Sequence, residues 1–312
     1  MVVGAAGAIG TRLVPQLTER GHEVIGTSRS AGKAAELRAL GAEAVVLDVL
    51  DAAAVRGAVA AARPDAIIHQ ATALANAAFS RKLDRTFAQT NRLRTEGTDN
   101  LLLAARDTGV RRFVAQSFAP YRYIRQGNLI KTEDDPLDQS PPAAARATFD
   151  AMTYLDQSVT EAGGIALRYG GFYGDPDPTV KAVRKRQYPI IGDGGGVMPF
   201  IHLHDAAAAT VLALEHDGPA IYNITDDDSA AVRDWLPVLA EAVGAKPPRH
   251  FPVWLGRLIL GESLTMMSQA RGASNAKAKK ELGWTLRYPS WRQGFPASFS
   301  DRQPPSSPPA HP

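Results

Sequence analysis

The sequence has no cysteine among its 312 residues, which excludes disulfide frameworks and thiolate metal sites. It also lacks a run of about 18 apolar residues, the length needed to cross a bilayer, and has no charged-then-apolar leader. The formal net charge is only +3, and the short basic runs at 184–186 and 277–280 lack interleaved aromatic residues. We therefore expect a soluble, cytoplasmic protein without nucleic-acid or membrane partners.

Apolar residues, at 45% of the chain, are arranged in short runs separated by helical patterns. Ile9, Leu13 and Leu17 recur every four residues up to Gly21, and Asp51 is predicted to cap the helix that follows it. Runs that are apolar on both faces are typical of buried parallel strands. The predicted strands are 1–3, 23–26, 44–47, 66–68, 112–115 and 164–168. This alternation predicts an α/β fold with a doubly wound parallel sheet.

The rhythm changes after residue 174, where Gly, Pro and Asp cluster at 174–178 and 192–196. Short strands such as 220–224 then alternate with helices of mixed length, as in a smaller cap beside the sheet. The predicted organisation is a first domain at 1–174 and a small C-terminal lobe at 175–300, interleaved with the first. Residues 301–312 form a Pro/Ser-rich tail that is predicted to be disordered.

Three glycines stand where the first strand gives way to the first helix. Gly4 would permit the tight turn, Gly7 would let the backbone approach a diphosphate, and Gly10 would allow the helix to pack against the strand. The helix N-terminus would then present free N–H groups to the anion. The turn predicts a dinucleotide site, and the competing interpretation is a merely structural turn.

The spacing G-x-x-G-x-x-G resembles that of the short-chain dehydrogenase/reductase superfamily. Together with Leu47-Asp48-Val49, Ile67 to Thr72, Glu96 to Leu102, Leu167 to Gly174, Phe200 to Ala206 and Glu281 to Trp284, it resembles the extended NAD-dependent epimerase/dehydratase family over about residues 1 to 295. The resemblance implies a Rossmann-like fold whose C-terminal lobe binds substrate. It also implies a homodimer built on the long fourth and fifth helices. The cofactor-binding residues that it implies, together with the turn, are Gly4, Ala6, Gly7, Ala8, Ile9, Gly10, Ser28, Arg29, Asp48, Val49, Gln70, Ala71, Thr72, Asn91 and Tyr169.

The end of the second strand bears on the choice of dinucleotide. Arg29 lies about 20 residues after the glycine turn, where NAD-selective sites usually place a carboxylate. No carboxylate occurs at 27–30, and a guanidinium can bind a 2′-phosphate. We therefore predict NADP(H), with NAD possible. Asp48 could instead cap a turn.

The family's chemistry normally uses Ser or Thr with Tyr-x-x-x-Lys, but no tyrosine here has a lysine four residues later. The resemblance puts Thr148 and Met152 at the pair's positions. Ser117, at the end of the fifth strand, is predicted to orient a substrate oxygen. Tyr121 is the candidate replacement acid, in a polar loop (121–131) predicted to lie near the mouth of the site.

These observations lead to three functional hypotheses. The leading one is an NADP(H)-dependent oxidoreductase acting on a small carbonyl, sugar or secondary-metabolite substrate. The alternatives are a non-catalytic NADP(H)-binding sensor and an epimerase or dehydratase with transient redox use of the cofactor. His202 and His204 lack a third ligand, so no metal site is predicted.

Overall fold

A computed structural model describes residues 1–74, 81–174 and 178–299. The prediction of a disordered tail falls outside these ranges. The strands are, in chain order, β1 (Val2–Val3), β2 (Ile25–Ser28), β3 (Glu43–Val46), β4 (Ala66–His69), β5 (Arg112–Phe118), β6 (Ile130–Lys131), β7 (Ile165–Tyr169), β8 (Gly171–Tyr173), β9 (Ile190–Ile191), β10 (Val197–Met198), β11 (Phe200–His202), β12 (Ala220–Ile224), β13 (Ala230–Ala231), β14 (His250–Phe251) and β15 (Gly272–Ala273).

The helices follow the strands in the alternation that the sequence predicted. They are α1 (Gly10–Glu19), α2 (Ala34–Ala39), α3 (Ala52–Ala62), α4 (Leu83–Arg92), α5 (Thr98–Thr108), α6 (Arg146–Glu161), α7 (Pro178–Arg184), α8 (Leu203–Glu215), α9 (Val232–Ala242), α10 (Val253–Leu260), α11 (Ser263–Ser268), α12 (Ala276–Leu282) and α13 (Trp291–Phe299). A π-helical turn (Leu93–Gly97) joins α4 to α5. Asp51 caps α3 as predicted, since its carboxylate accepts the N–H groups of Ala53 and Ala54 at 3.0 Å.

The main sheet has the strand order β12-β7-β5-β4-β1-β2-β3, and all of its strands are parallel. The chain leaves β1 toward β2 and β3 on one side, then returns to build β4, β5, β7 and β12 on the other. The order therefore reverses between β1 and β4, and ligands of such sheets bind beyond the carboxyl ends of the strands at this point. The predicted Rossmann-like doubly wound sheet is confirmed.

One strand lies elsewhere than predicted. Segment 220–224, expected in the smaller cap, pairs in parallel with β7 from Ala220 opposite Ile165 to Ile224 opposite Tyr169. Tyr222 and Ile224 are fully buried in the core on one face of the sheet, and Ile221 packs on the other. The change of rhythm after residue 174 therefore marks an excursion into the lobe, and the chain then returns to the sheet.

Three apolar clusters hold these layers together. One face of the sheet packs on α1 and α8, and the other packs on α3, α5 and α6. The third cluster joins Phe149 and Met152 of α6 to Trp235 of α9 and Phe295 of α13. Helix α6 contributes both to the cluster that it shares with α3 and α5 and to the cluster of the lobe. Its N-terminal half therefore forms the junction between sheet and lobe.

Candidate cofactor and active site

The turn after β1 requires glycine at two positions. Gly4 has φ +79°, and a Cβ there would lie 2.9 Å from the backbone of Ala71 at the end of β4. A Cβ on Gly10 would lie 2.2 Å from the carbonyl oxygen of Ala5. These distances confirm the predicted roles of Gly4 in the turn and of Gly10 in the packing of helix on strand.

The same turn presents unused N–H groups. Gly7 and Ala8 are exposed, and the Gly7 amide donates to the Gly4 carbonyl at 3.0 Å. Within the described residues, the amides of Ala8 and Ile9 donate to no backbone carbonyl, and no side chain caps α1. Free amides at a helix N-terminus suit an anion, so the residues present fit the diphosphate of a dinucleotide.

Arg29 extends from the end of β2 into solvent. Its guanidinium makes no hydrogen bond or ion pair with any residue in the described ranges, and the neighbouring Ser28 hydroxyl accepts the Ser30 amide at 3.2 Å. A guanidinium without a protein partner is available to a phosphate.

Asp48 and Val49, which are predicted to lie beside the adenine, follow the end of β3. The exposed Asp48 accepts the Leu50 amide at 3.1 Å, which is the turn-capping contact. Val49 is buried, and its carbonyl accepts Asn100 Nδ2 at 2.9 Å. The backbone beside the predicted adenine position is thereby fixed, and contact of Asp48 and Val49 with adenine stays a prediction.

At the end of β4, Gln70 donates from Nε2 to the Tyr169 hydroxyl at 3.1 Å, while its Oε1 has no partner within the described residues. The Tyr169 hydroxyl also lies 2.6 Å from that of Thr210, and the Tyr169 side chain is fully buried. Burial raises the pKa of Tyr169 to about 12. Ala71 and Thr72, half-buried, continue from Gln70 past Gly4. Tyr169 thus reaches the end of β4 through Gln70.

His69 lies one residue before Gln70 and is also buried. Its Nε2 is 3.2 Å from the Leu93 carbonyl in the π turn, and its Nδ1 meets no partner in the described part of the chain. Burial, with a smaller contribution from the charge of Arg94, lowers the pKa of His69 to about 4. The imidazole is therefore neutral at physiological pH and packs between strand and helix.

The N-terminal half of α6 carries Thr148, at the position implied for the missing tyrosine. Its hydroxyl donates to Asp84 Oδ1 at 2.7 Å and accepts Asn91 Nδ2 at 3.1 Å. Asp84 also accepts the backbone N–H groups of Ala147 and Thr148. The Thr148 hydroxyl is therefore engaged in joining α4 to α6, and Asn91 contributes to the same junction.

Met152 follows Thr148 by one helical turn and lies on the same face of α6. It is 3% exposed and belongs to the apolar cluster that contains Phe149 and Tyr121. A thioether carries neither a proton nor a charge. This face of α6 thus offers a hydroxyl already bonded to a carboxylate, followed by an apolar side chain.

Ser117 is enclosed behind the strand ends. It is 1% exposed, and its hydroxyl accepts Arg122 Nη1 at 3.1 Å. The same Arg122 nitrogen donates to Asp156 Oδ2 at 2.8 Å, which Arg168 Nε also approaches at 2.8 Å. The structure therefore brings Ser117 into a buried ionic network. Its predicted catalytic role stays a prediction.

Tyr121 has a backbone φ of +67°, which is rare for a residue with a side chain. Its ring lies in the apolar cluster of the lobe, and burial, followed by Tyr188, raises its pKa well above the usual value. It lines a cleft whose described lining carries no charged side chain: Tyr121, Tyr188, Pro189, Ile191, Gly194, Gly196, Met198, Val232, Leu260, Leu264, Met267 and Ser268.

The loop after Tyr121 was predicted to lie near the mouth of the site, and three of its polar side chains are buried. Arg122, Tyr123 and Lys131 are 1%, 2% and 2% exposed. Arg122 turns inward to Asp156, and Lys131 is held by the Gln126 carbonyl and the Asp135 carboxylate. For Arg122 and Tyr123, partners distant in sequence draw the polar groups into the interior. No local signal in the sequence indicates this.

The chain has relatives among both reductases and epimerases. Residues 1–225 match the NAD dependent epimerase/dehydratase family. The chain belongs to that family. It is 40% identical to a 3-diazoavenalumate denitrifying reductase of a Streptomyces species, over 95% of this chain and 98% of the relative. It is 27% identical to a 4-hydroxy-2-methyl-3-oxo-4-farnesyl-3,4-dihydroquinoline-1-oxide ketoreductase of Stigmatella aurantiaca, over 95% and 94%.

A solved structure shares the fold. The structure of UDP-glucose 4-epimerase from Thermus thermophilus in complex with NAD matches with a TM-score of 0.71 and 25% identity, over 96% of this chain and 97% of that one. Within 1–74, 81–174 and 178–299, no group of three metal-ligating side chains occurs, and no helix is long and apolar enough to span a bilayer. His202 Nδ1 instead accepts the His204 amide at 3.0 Å, at the start of α8.

Proposed function

We propose that the protein is an NADP(H)-dependent reductase whose hydride acceptor needs no proton donor from the protein. The observation that carries this proposal is the pairing of an anion-ready turn at Gly4 to Gly10 with the Thr148–Met152 face of α6. The turn suits a dinucleotide, and the free Arg29 guanidinium favours NADP over NAD. The Thr148–Met152 face has neither the phenol nor the ammonium by which the family transfers a proton.

The chemistry of the acceptor follows from that absence. A ketone becomes an alkoxide on gaining hydride and then needs a proton, for which a positioned acid is worth a large factor in rate. An acceptor that begins as a cation and loses a neutral group when it gains hydride needs no proton donor. An aryl diazonium is such an acceptor, and the 40% identical relative is named for denitrifying reduction of a diazo compound.

The residues around the site have defined tasks in this proposal. When bound, the reduced nicotinamide would supply the hydride, so that R–N₂⁺ and hydride give R–H and N₂. Amides at Ala8 and Ile9 would hold the diphosphate, Arg29 the 2′-phosphate, and the backbone at Gln70 to Thr72 would lie beneath the cofactor. Ser117 would keep Arg122 in place, and the homodimer implied by the resemblance remains a prediction.

The lining of the cleft beside Tyr121 favours an apolar substrate body. Its side chains are mostly aromatic, aliphatic or thioether groups, and its described lining holds no cation to match a nucleotide diphosphate. A nucleotide sugar suits this lining poorly.

The test is a comparison of substrate classes. Purified protein is incubated with NADPH and an aryl diazonium carboxylic acid, while NADPH absorbance, N₂ release and the mass of the R–H product are measured. The protein-free mixture and the Gly10→Ala variant correct for spontaneous reduction. Stoichiometric loss of NADPH and release of N₂ support the proposal. Turnover of ketones or UDP-glucose instead, or tight NADPH binding without any turnover, would establish the ketoreductase, epimerase or sensor alternative.

A further inference from the structure

Arg94 is a buried cation on the π turn between α4 and α5, and it is 5% exposed. None of its nitrogens donates to any residue of the described ranges. Burial of an unpaired charge is costly and is avoided in proteins unless something compensates it. π turns within helices also occur frequently at functional sites.

The carboxylate whose charge acts on Arg94 is already shared. Asp156 Oδ2 accepts from both Arg122 and Arg168 at 2.8 Å. Two guanidinium groups therefore share one carboxylate by hydrogen bonds, and the charge of Arg94 also interacts with it. Burial, followed by the charge of Arg122, lowers the pKa of Arg94 to about 10. Arg94 is thus the member of the cluster that lacks a hydrogen-bonded counterion among the described residues.

Its position relates it to the altered face of α6. Asn91, three residues earlier and on the same side of the helix, donates to Thr148. Asp156, which Arg94 senses electrostatically, is two helical turns beyond Thr148, with Met152 between them. The π turn that carries Arg94 packs against α6, the helix on which the resemblance places the family's lysine. The Nε of Arg94 is sealed from solvent and has no partner among the described residues.

We propose that Arg94 binds an anionic oxygen of the bound ligand and supplies the positive charge that Met152 cannot. A guanidinium fork matches a carboxylate or phosphate with two parallel hydrogen bonds. The oxygen belongs either to a carboxylate of the substrate or to a phosphate of the cofactor. Whether the anion belongs to the substrate or to the cofactor depends on the proposed function. The expectation that an anion binds here depends only on the unpaired, buried charge of Arg94.

The experiment compares Arg94→Met with Arg92→Met on the same helix. Arg92 is exposed and forms an ion pair with Glu96, so its loss leaves the site intact. Binding is measured without turnover, by titration with NADPH in one arm and with cinnamate in the presence of NADP⁺ in the other. The melting temperature of each free protein is recorded as well. Arg94→Lys, which keeps the charge and loses the fork, is the conservative comparison.

Two results together support the proposal. Arg94→Met should weaken at least one ligand by about tenfold or more, the range expected for a lost charge-assisted bond, while Arg94→Lys loses less and Arg92→Met loses nothing. The same variant should melt at a higher temperature than the wild type, because an uncompensated buried charge has been removed. The arm that responds identifies the cofactor or the substrate as the source of the anion.

Other results overturn it in distinguishable ways. Unchanged affinities in Arg94→Met, with a wild type that binds both probes, refute the role of Arg94 but leave the proposed function standing. A lower melting temperature shows that Arg94 serves the fold, and it refutes the role whatever the affinities. A wild type that binds neither probe refutes both proposals.

Discussion

The β1–α1 turn and the Thr148–Met152 face of α6, where the resemblance places the family's Tyr and Lys, differ in the polar groups that they leave available. At the turn, the amides of Ala8 and Ile9 have no backbone partners among the described residues, and two glycines keep space that a Cβ would fill. On α6, the Thr148 hydroxyl is bonded on both sides and Met152 is enclosed in apolar contacts. The turn therefore leaves amides available to an anion, whereas the Thr148 hydroxyl is already hydrogen-bonded and Met152 carries no proton donor.

Under the proposed function, cofactor binding and proton transfer are separable within this fold. Dinucleotide binding depends on backbone geometry, which a few glycines maintain. Proton transfer depends on two side chains, and these can be replaced without disturbing the sheet. A chain can therefore retain its hydride chemistry while its acceptor changes to one that needs no acid.

The largest expected effect comes from closing the turn with Gly10→Ala. The added Cβ would lie 2.2 Å from the Ala5 carbonyl oxygen, so α1 must move away from β1 and carry the free amides with it. We expect NADPH and NADH both to bind about 100-fold more weakly. Fluorescence titration measures this. Gly57→Ala, at an exposed helical glycine with nothing within 4 Å, is the matched control and should bind normally.

The next effect distinguishes the two dinucleotides. Arg29→Ala should weaken NADPH binding by about 10- to 100-fold, the value of a hydrogen bond to a charged group, and should leave NADH unchanged. Arg38→Ala, at another exposed arginine of this region, should leave both unchanged. Equal losses for NADPH and NADH would mean that Arg29 does not meet the 2′-phosphate, and the preference for NADP would then have no basis.

The sequence predicted the β1–α1 turn far better than the α6 face. The glycine turn, the main strands and the Asp51 cap each leave a local pattern in the sequence, namely glycine spacing, short apolar runs and a capping residue. The strand at 220–224 was misplaced because nothing local says which sheet it joins. Asp84 and the α6 amide that it accepts are 64 residues apart. No local sequence pattern therefore marks Asp84 as a cap of this helix.

The buried ionic network escaped prediction for a related reason. Arg122 and Arg168 appear in the sequence as a loop arginine and a strand-end arginine, and only the fold brings both to Asp156. The π turn that projects Arg94 adds no proline or glycine signal at its start. Interior charges of this kind are fixed by the complete tertiary structure, so residue type and spacing do not reveal them.

The Ser117→Ala variant tests whether Ser117 only holds Arg122 or also orients a substrate oxygen. If Ser117 only holds Arg122, the variant should lose about 1.5–3 kcal/mol of stability, the value of a hydrogen bond to a charged group, and keep kcat within about threefold of the wild type. Chemical denaturation and steady-state kinetics measure the two. If Ser117 orients a substrate oxygen as the sequence predicted, kcat should instead fall by about 10²-fold or more.

The last prediction concerns the pH dependence of stability at Asp226, a buried carboxyl group just after β12, where no effect on activity is expected. Asp226 is 2% exposed; its amide donates to the Phe200 carbonyl, and its Oδ2 has no partner within the described residues. Burial, above all, raises its pKa from 3.8 to about 8. The unfolded chain ionises near pH 4 while the folded protein stays protonated, so this contribution to stability is complete below pH 4 and is lost as pH rises toward 8.

Asp226→Asn should therefore melt progressively higher than the wild type as pH rises from 5 to 8, with a difference that grows by at most about 1.4 kcal/mol per pH unit. Above pH 8 the difference should level off, since both states of the wild type are then ionised. Asp217→Asn, at a carboxylate that is 93% exposed, should show no such trend. A pH-independent difference for Asp226→Asn would mean that water reaches this carboxylate, and the junction of sheet and lobe would then be more open than its packing indicates.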